Sequence, residues 1–261
     1  MSVAIITGAS RGMGEEFAYK IQKEFPYVHE IWLIARDGEK LESIADKLTH
    51  CHVRTISCDL CEENDRIAIG QFLKKHKPKV SHLIQCAGFG LVGDFTDIPA
   101  EEQLNMIELN NKALVHLTHL ILPYMKDKGR IIMLASAAAF MPQAGFAVYA
   151  ASKSFVLSFS RGLNEELRHR KITVTAVCPG PVNTEFFDRA EQYNASISMK
   201  KKMMVTKEFV VNKALKASKL RCSYVTPGIV MKLGQMSAKF IPHSICLWAM
   251  RKGGLVREKN S

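Results

Sequence analysis

Short, nearly continuous apolar runs alternate along the chain with longer stretches in which apolar residues return every three or four positions. The runs Val3–Thr7, Ile31–Ala35, Val53–Ser57, Val80–Gln85, Arg130–Ser136, Ile172–Val177 and Ser223–Val225 are rich in Val, Ile and Leu, and they predict strands. Helices are predicted between them, over 13–25, 39–49, 62–76, 100–126, 150–170 and 207–219. Strands without polar alternation need cover on both faces, and regular strand–helix alternation gives parallel pairing. The expected fold is therefore α/β, doubly wound in three layers, with a seven-stranded parallel sheet. No repeat or Ser/Gly-rich linker interrupts the pattern, so residues 1–261 are expected to form one domain. The irregular stretch 179–206 exceeds an ordinary connection, and its part from about 181 to 206 is a candidate lid.

Composition narrows the class. With 47% hydrophobic and 23% charged residues the chain is globular, and 16 Gly and 9 Pro exclude collagen-like or low-complexity readings. The longest apolar candidate for a membrane span, Ala113 to Met125, falls short of the ~18 residues needed and carries His116, Thr118 and His119. The first ten residues, MSVAIITGAS, read as the start of a strand rather than a signal peptide. Seven cysteines, odd in number and mostly inside apolar runs, suit reduced thiols and a cytoplasmic location. Cys58 and Cys61 form a lone C-x-x-C pair with no second pair to complete a zinc site, so no metal is expected. The net charge is +11, and from Ser196 onward there are 14 basic residues against two acids. The whole positive excess lies in the last quarter of the chain.

The first strand runs directly into Thr7-Gly8-Ala9-Ser10-Arg11-Gly12-Met13-Gly14 and then a helix. Glycines at this junction let the backbone turn tightly and approach a pyrophosphate at the helix N-terminus. The second strand ends Ile34-Ala35-Arg36-Asp37. An acid at the strand end would bind the ribose 2′-hydroxyl of NAD. Here Ala35 stands at that place, and Arg36 with Arg11 offers charge-assisted hydrogen bonds to a 2′-phosphate. NADP(H) is the expected cofactor, with Asp37 as an NAD-binding acid the competing reading.

Further motifs follow in order: Asp59 after the third strand, Cys86-Ala87-Gly88 after the fourth, Asn110, Ser136, Tyr149-Ala150-Ala151-Ser152-Lys153, and Pro179-Gly180-Pro181-Val182-Asn183-Thr184. Together with the glycine turn, this set resembles the short-chain dehydrogenase/reductase family, in its single-domain Rossmann-like branch, over residues 3–228. A phenol has an unperturbed pKa near ~10, so acid/base work at neutral pH calls for a nearby cation. Tyr149 and Lys153 lie four apart and share a helix face.

The resemblance implies that Tyr149 is the acid/base, that Lys153 lowers its pKa and binds the nicotinamide ribose, and that Ser136 holds the substrate oxygen. Asn110, rather than the adjacent Asn111, would open a helix around a water that relays protons from Lys153. The implied cofactor-binding set is Gly8, Ser10, Arg11, Gly12, Met13, Gly14, Arg36, Asp59, Leu60, Ala87, Gly88, Asn110, Tyr149, Lys153, Pro179, Gly180, Val182 and Thr184. Where the family commonly has Asn-Asn-Ala-Gly, this chain has Gln85-Cys86-Ala87-Gly88. Cys86 cannot supply an amide's hydrogen bonds, which leaves the central sheet without that support.

The same pattern places Phe89, Ala137, Gln143, Phe146 and Phe186 along the substrate pocket, with Phe140, Pro181, Phe187, Tyr193 and Met199 nearby. This apolar set suits a hydrophobic carbonyl or secondary alcohol, such as a steroid, bile acid or lipid-like ketone. The alternatives are a small polar ketone, or a catalytically silent nucleotide-binding regulator of the same fold. Residues 227–261 form a basic amphipathic segment that fits peripheral membrane contact, steering of an anionic substrate, or plain packing. Nucleic acid is not an expected partner, because the charge lacks aromatic platforms. A homodimer or homotetramer through the fourth and fifth helices is implied by the resemblance.

Overall fold

The computed structural model describes residues 2–193 and 204–252. Seven parallel strands form one sheet in the order β3-β2-β1-β4-β5-β6-β7. They are β1 (Val3–Thr7), β2 (Glu30–Ala35), β3 (His52–Ser57), β4 (Val80–Gln85), β5 (Met125–Leu134), β6 (Thr173–Val177) and β7 (Tyr224–Val225). The helices are α1 (Gly12–Glu24), α2 (Gly38–Ala45), α3 (Glu63–His76), α4 (Ala100–Ile107), α5 (Leu114–Ile121), α6 (Ala147–Glu166), α7 (Phe186–Ala190), α8 (Lys207–Lys219), α9 (Ile229–Phe240) and α10 (His243–Lys252). This is the doubly wound α/β, Rossmann-like architecture.

Each face of the sheet has its own core. Leu73 of α3, Leu117 and Ile121 of α5 and Val156 of α6 pack on Ile5, Leu83 and Ile131. Phe17 and Ile21 of α1, Leu41 of α2 and Val210 and Ala214 of α8 pack on Ala4, Ile6, Leu33 and Ile132. Successive residues of β1 thus enter opposite cores, which is why that strand carries no polar alternation. The chain winds outward from β1 through β2 to β3 and then returns to pair β4 on the other side of β1. At such a reversal the connections leave in opposite directions and open a crevice beyond the strand ends, where ligands of this architecture bind.

Two elements differ most from the sequence expectation. The helix expected over 100–126 divides into α4, a π-helical turn at Glu108–Ala113, α5 and a 3-10 turn at Leu122–Tyr124. β5 then begins at Met125 rather than Arg130, through a register irregularity against β4 where Lys128 takes a left-handed φ of 63°. Its end at Leu134 leaves Ser136 beyond the strand, capping a 3-10 turn at Ala137–Phe140 through Ala138 N–H, 3.1 Å away. Among the described residues no helix is long and apolar enough to cross a membrane.

Candidate active site

A cleft of about 570 Å³ runs along the C-terminal ends of β1 to β6. Its floor is the turn after β1. Gly8 has φ +64°, and a Cβ there would lie 2.7 Å from the backbone nitrogen of Ala87. At Gly14 a Cβ would meet the Gly8 carbonyl oxygen at 2.1 Å. Only glycine lets these two turns and the start of α1 close together. Thr7 Oγ1 accepts the Ala87 N–H at 3.3 Å, joining the same two turns from the strand side. Ser10, Arg11, Gly12 and Met13 line the cleft at the N-terminus of α1, whose backbone N–H groups and dipole favour an anion.

At the outer end, Arg36 extends from β2 with a largely exposed side chain, 3.5 Å from Asp59 Oδ2. Asp59 Oδ1 accepts the Cys61 N–H at 2.9 Å, and Leu60 lies beside it on the wall. Asp37 caps α2, accepting the Lys40 N–H at 3.1 Å and pairing with the Lys40 ammonium at 3.6 Å. Its carboxylate is already engaged in ending a loop and starting a helix.

The deep end is buried. Tyr149 lies in the first turn of α6 and Lys153 one turn on, both nearly inaccessible to solvent. Lys153 Nζ donates to the Leu134 carbonyl at 2.8 Å and stands 5.7 Å from the Tyr149 ring centroid. Burial pushes the Tyr149 phenol up to about 12, opposed by a hydrogen bond with Ser136. Burial likewise brings the Lys153 ammonium down to about 8. Desolvation is the larger influence on both groups, and the Lys153 ammonium is held at the strand end by the Leu134 carbonyl.

Asn110 occupies the π-helical turn. Its Oδ1 accepts the Phe89 N–H at 3.1 Å, while Nδ2 donates to the Phe89 carbonyl at 2.9 Å and to Ser152 Oγ at 3.0 Å. Asn111 donates to the Ser152 carbonyl at 2.9 Å, outside this contact. The turn is fastened from behind, where buried Arg66 pairs with Glu108 at 2.9 Å. A Cβ on Gly88 would stand 2.7 Å from Asn110 Oδ1 and 3.2 Å from Lys153 Nζ, so strand β4, the π turn and α6 meet at one bare backbone.

The other predicted positions fall as follows. Ala87, Pro179, Gly180, Val182 and Thr184 line the cleft, as do Phe89, Ala137, Phe140, Gln143, Phe146, Pro181, Phe186 and Phe187. Tyr193 packs, partly buried, against the cluster of Phe89, Leu91 and Ile98, and Met199 lies outside the described residues. Cys86 is partly buried on the cleft wall, and desolvation pushes its thiol up. The sheet support it cannot give comes from Gln85, whose Nε2 donates to Thr118 Oγ1 at 2.7 Å and to the Leu114 carbonyl at 3.3 Å. Burial raises Cys58 to about 12 and Cys61 to about 11, which disfavours the thiolate that metal or redox chemistry needs.

Several site residues escape the sequence motifs. Gly90 lies under the Tyr149 ring, where a Cβ would approach Cδ2 to 2.6 Å. The two phenylalanines that the pattern did place here hold the same ring: Phe146 stacks on Tyr149 with centroids 4.2 Å apart, and Phe186 packs at 5.6 Å. Arg189 lies 3.6 Å above the Phe89 ring and pairs with Glu102 at 2.9 Å. Met231 and Gln235 of α9 complete the wall. The glycine beside Phe89 is a readable signal for the first of these; nothing in the local pattern marks Arg189 or the inward face of α9.

The glycine cradle, the helix N-terminus and the length of the cleft fit a nicotinamide dinucleotide. Residues 2–195 match the family of short chain dehydrogenases. An uncharacterized oxidoreductase of Staphylococcus epidermidis is 31% identical over 184 residues, covering 70% of this chain and 78% of that protein. A short-chain dehydrogenase from Sphingobium yanoikuyae, solved in complex with NADPH, is 27% identical with a TM-score of 0.79, over 100% of this chain and 98% of its own. A short-chain dehydrogenase/reductase from Burkholderia phymatum in complex with NAD has the same TM-score at 20% identity, over 95% of each chain, a likeness of fold alone. With cleft, motif order and sequence likeness in agreement, this chain belongs to the short-chain dehydrogenase/reductase family of oxidoreductases.

Proposed function

We propose that the protein is an NADP(H)-dependent oxidoreductase that interconverts a hydrophobic ketone and its secondary alcohol. The observation that carries the reading is the convergence of Ser136, Tyr149 and Lys153 at the deep end of one cleft whose adjoining wall is Phe89, Phe146 and Phe186. A reduced nicotinamide bound there supplies a hydride to the carbonyl carbon. Tyr149 donates its phenolic proton to the carbonyl oxygen as the alcohol forms, and Ser136 Oγ holds that oxygen. The phenolate left behind is stabilised by the Lys153 ammonium and reprotonated from solvent past Lys153 and the Asn110 turn. The high pKa of Tyr149 keeps the proton in place until transfer, as a donor requires.

For the cofactor, Arg36 and Arg11 both line the cleft, while Asp37 caps α2. That arrangement favours a 2′-phosphate over a free 2′-hydroxyl, and the NADPH complex of the Sphingobium relative supports it. Exposed Leu104 and Ile107 on α4 and Phe155 on α6, the latter stacked on Phe159, give those helices an apolar face suited to homodimer or tetramer formation.

The test is NADPH oxidation by the purified protein across steroid ketones, long-chain ketones and keto sugars. Turnover confined to a hydrophobic class is expected. Turnover of keto sugars alone, or of none with NADPH still bound, would overturn the substrate class or the enzyme reading respectively.

A further inference from the structure

Helix α9 has two faces with different fates. Met231 and Ala238 point inward: Met231 Sδ lies so close to Gly180 that a Cβ there would stand 2.5 Å from it, and Ala238 is buried. Gln235 accepts a hydrogen bond from Thr226 Oγ1 at 2.8 Å. On the opposite side Ile229, Leu233, Met236 and Phe240 recur at helical spacing as one exposed stripe, with Ile229 78% and Phe240 83% accessible. Ile245 and Trp248 of α10 add further exposed apolar surface. Exposed Lys232 borders the stripe and exposed Arg251 lies at the end of α10.

Charge decides what covers this surface. Between Glu208 and Glu258 the sequence holds nine Lys and Arg and no acid. A two-fold contact with a second copy would set the same basic patch against itself, which repels. A surface that is apolar and uniformly negative complements it. Helices of this length cannot span a bilayer but suit its interface, where apolar side chains enter the acyl boundary, lysines meet anionic headgroups and tryptophan settles between.

We propose that the α9–α10 pair docks the protein on anionic lipid bilayers. Because the inner face of α9 is a wall of the cleft, docking sets the cleft beside the lipid surface. The proposal rests on surface residues and holds whatever the substrate.

The experiment is sedimentation of the full chain with vesicles of phosphatidylcholine alone, or with about a third phosphatidylglycerol. Anionic vesicles should bind the protein at least ~10-fold more tightly, and the difference should shrink in high salt. Trp32 is fully buried and Trp248 is half exposed, so a blue shift of emission on binding reports α10. The double variant Leu233→Ser/Phe240→Ser and the single variant Lys232→Glu should each lose most of the binding while NADPH affinity, measured in parallel, stays unchanged. No binding by the unaltered protein, or equal binding by the variants, would overturn the proposal. So would a dimer in light scattering that the Leu233/Phe240 pair abolishes, which would assign the surface to a second copy.

Discussion

The two ends of the cleft are built on opposite principles. At the deep end three side chains are buried and held: Asn110 by three hydrogen bonds, Lys153 by the Leu134 carbonyl, Tyr149 by aromatic rings on two sides. At the outer end Arg36 is largely exposed and touches one carboxylate at 3.5 Å. Desolvation shifts proton affinities strongly at the first and leaves the second in near-aqueous dielectric. Proton transfer needs fixed geometry, because misplacement of the donor is costly in rate. Recognition of a phosphate needs charge within reach, which the exposed Arg36 guanidinium would supply in the proposed NADP(H) reading.

If this division is right, variants at the two ends should separate rate from cofactor affinity. The largest effect belongs to Tyr149→Phe, which keeps the ring packing and removes the proton. Turnover should fall about 1,000-fold, within the range for loss of a general acid, measured by NADPH oxidation at saturating cofactor. Next is Arg36→Ala. Loss of a charge-assisted hydrogen bond is worth roughly 1.5–3 kcal/mol, so KM for NADPH should rise about tenfold or more, while kcat and KM for NADH stay level.

The smallest effect is on pH dependence. Lys153 loses its charge as pH rises through about 8, whereas Tyr149 remains protonated to about 12. Reductive turnover should therefore decline on the alkaline side, by about fourfold between pH 7 and 8.5 for a single group of that pKa. NADPH affinity, resting on guanidinium charge, should hold across the same interval.

Much of the deep end was legible in the sequence because its chemistry requires particular residue types at fixed spacing. Tyr149 and Lys153 share a helix face by their separation of four, and the glycines of the first turn are required where backbones touch, as the 2.1 Å approach at Gly14 shows. What the sequence hid depends on tertiary partners. The π turn at Glu108–Ala113 has ordinary helical residues, and it forms where the Asn110 amide grips the Phe89 backbone and Glu108 meets Arg66. The early start of β5 follows from pairing of Met125 with Val80, which the charged Lys126–Lys128 run conceals. The amphipathic C-terminal segment was visible as a pattern, but only the fold shows that one face of α9 walls the cleft and the other is exposed. The proton affinities were the least legible, because they follow from burial of the tyrosine and the lysine, which only the fold reveals.

The most direct measurement is NADPH dissociation constant and turnover, taken together on Tyr149→Phe and Arg36→Ala. The expected pattern is crossed: the tyrosine variant loses about 1,000-fold in turnover with affinity within about twofold, and the arginine variant loses affinity with turnover intact. A tyrosine variant that still turns over, or an arginine variant whose turnover falls while its affinity is unchanged, would contradict the division of the cleft.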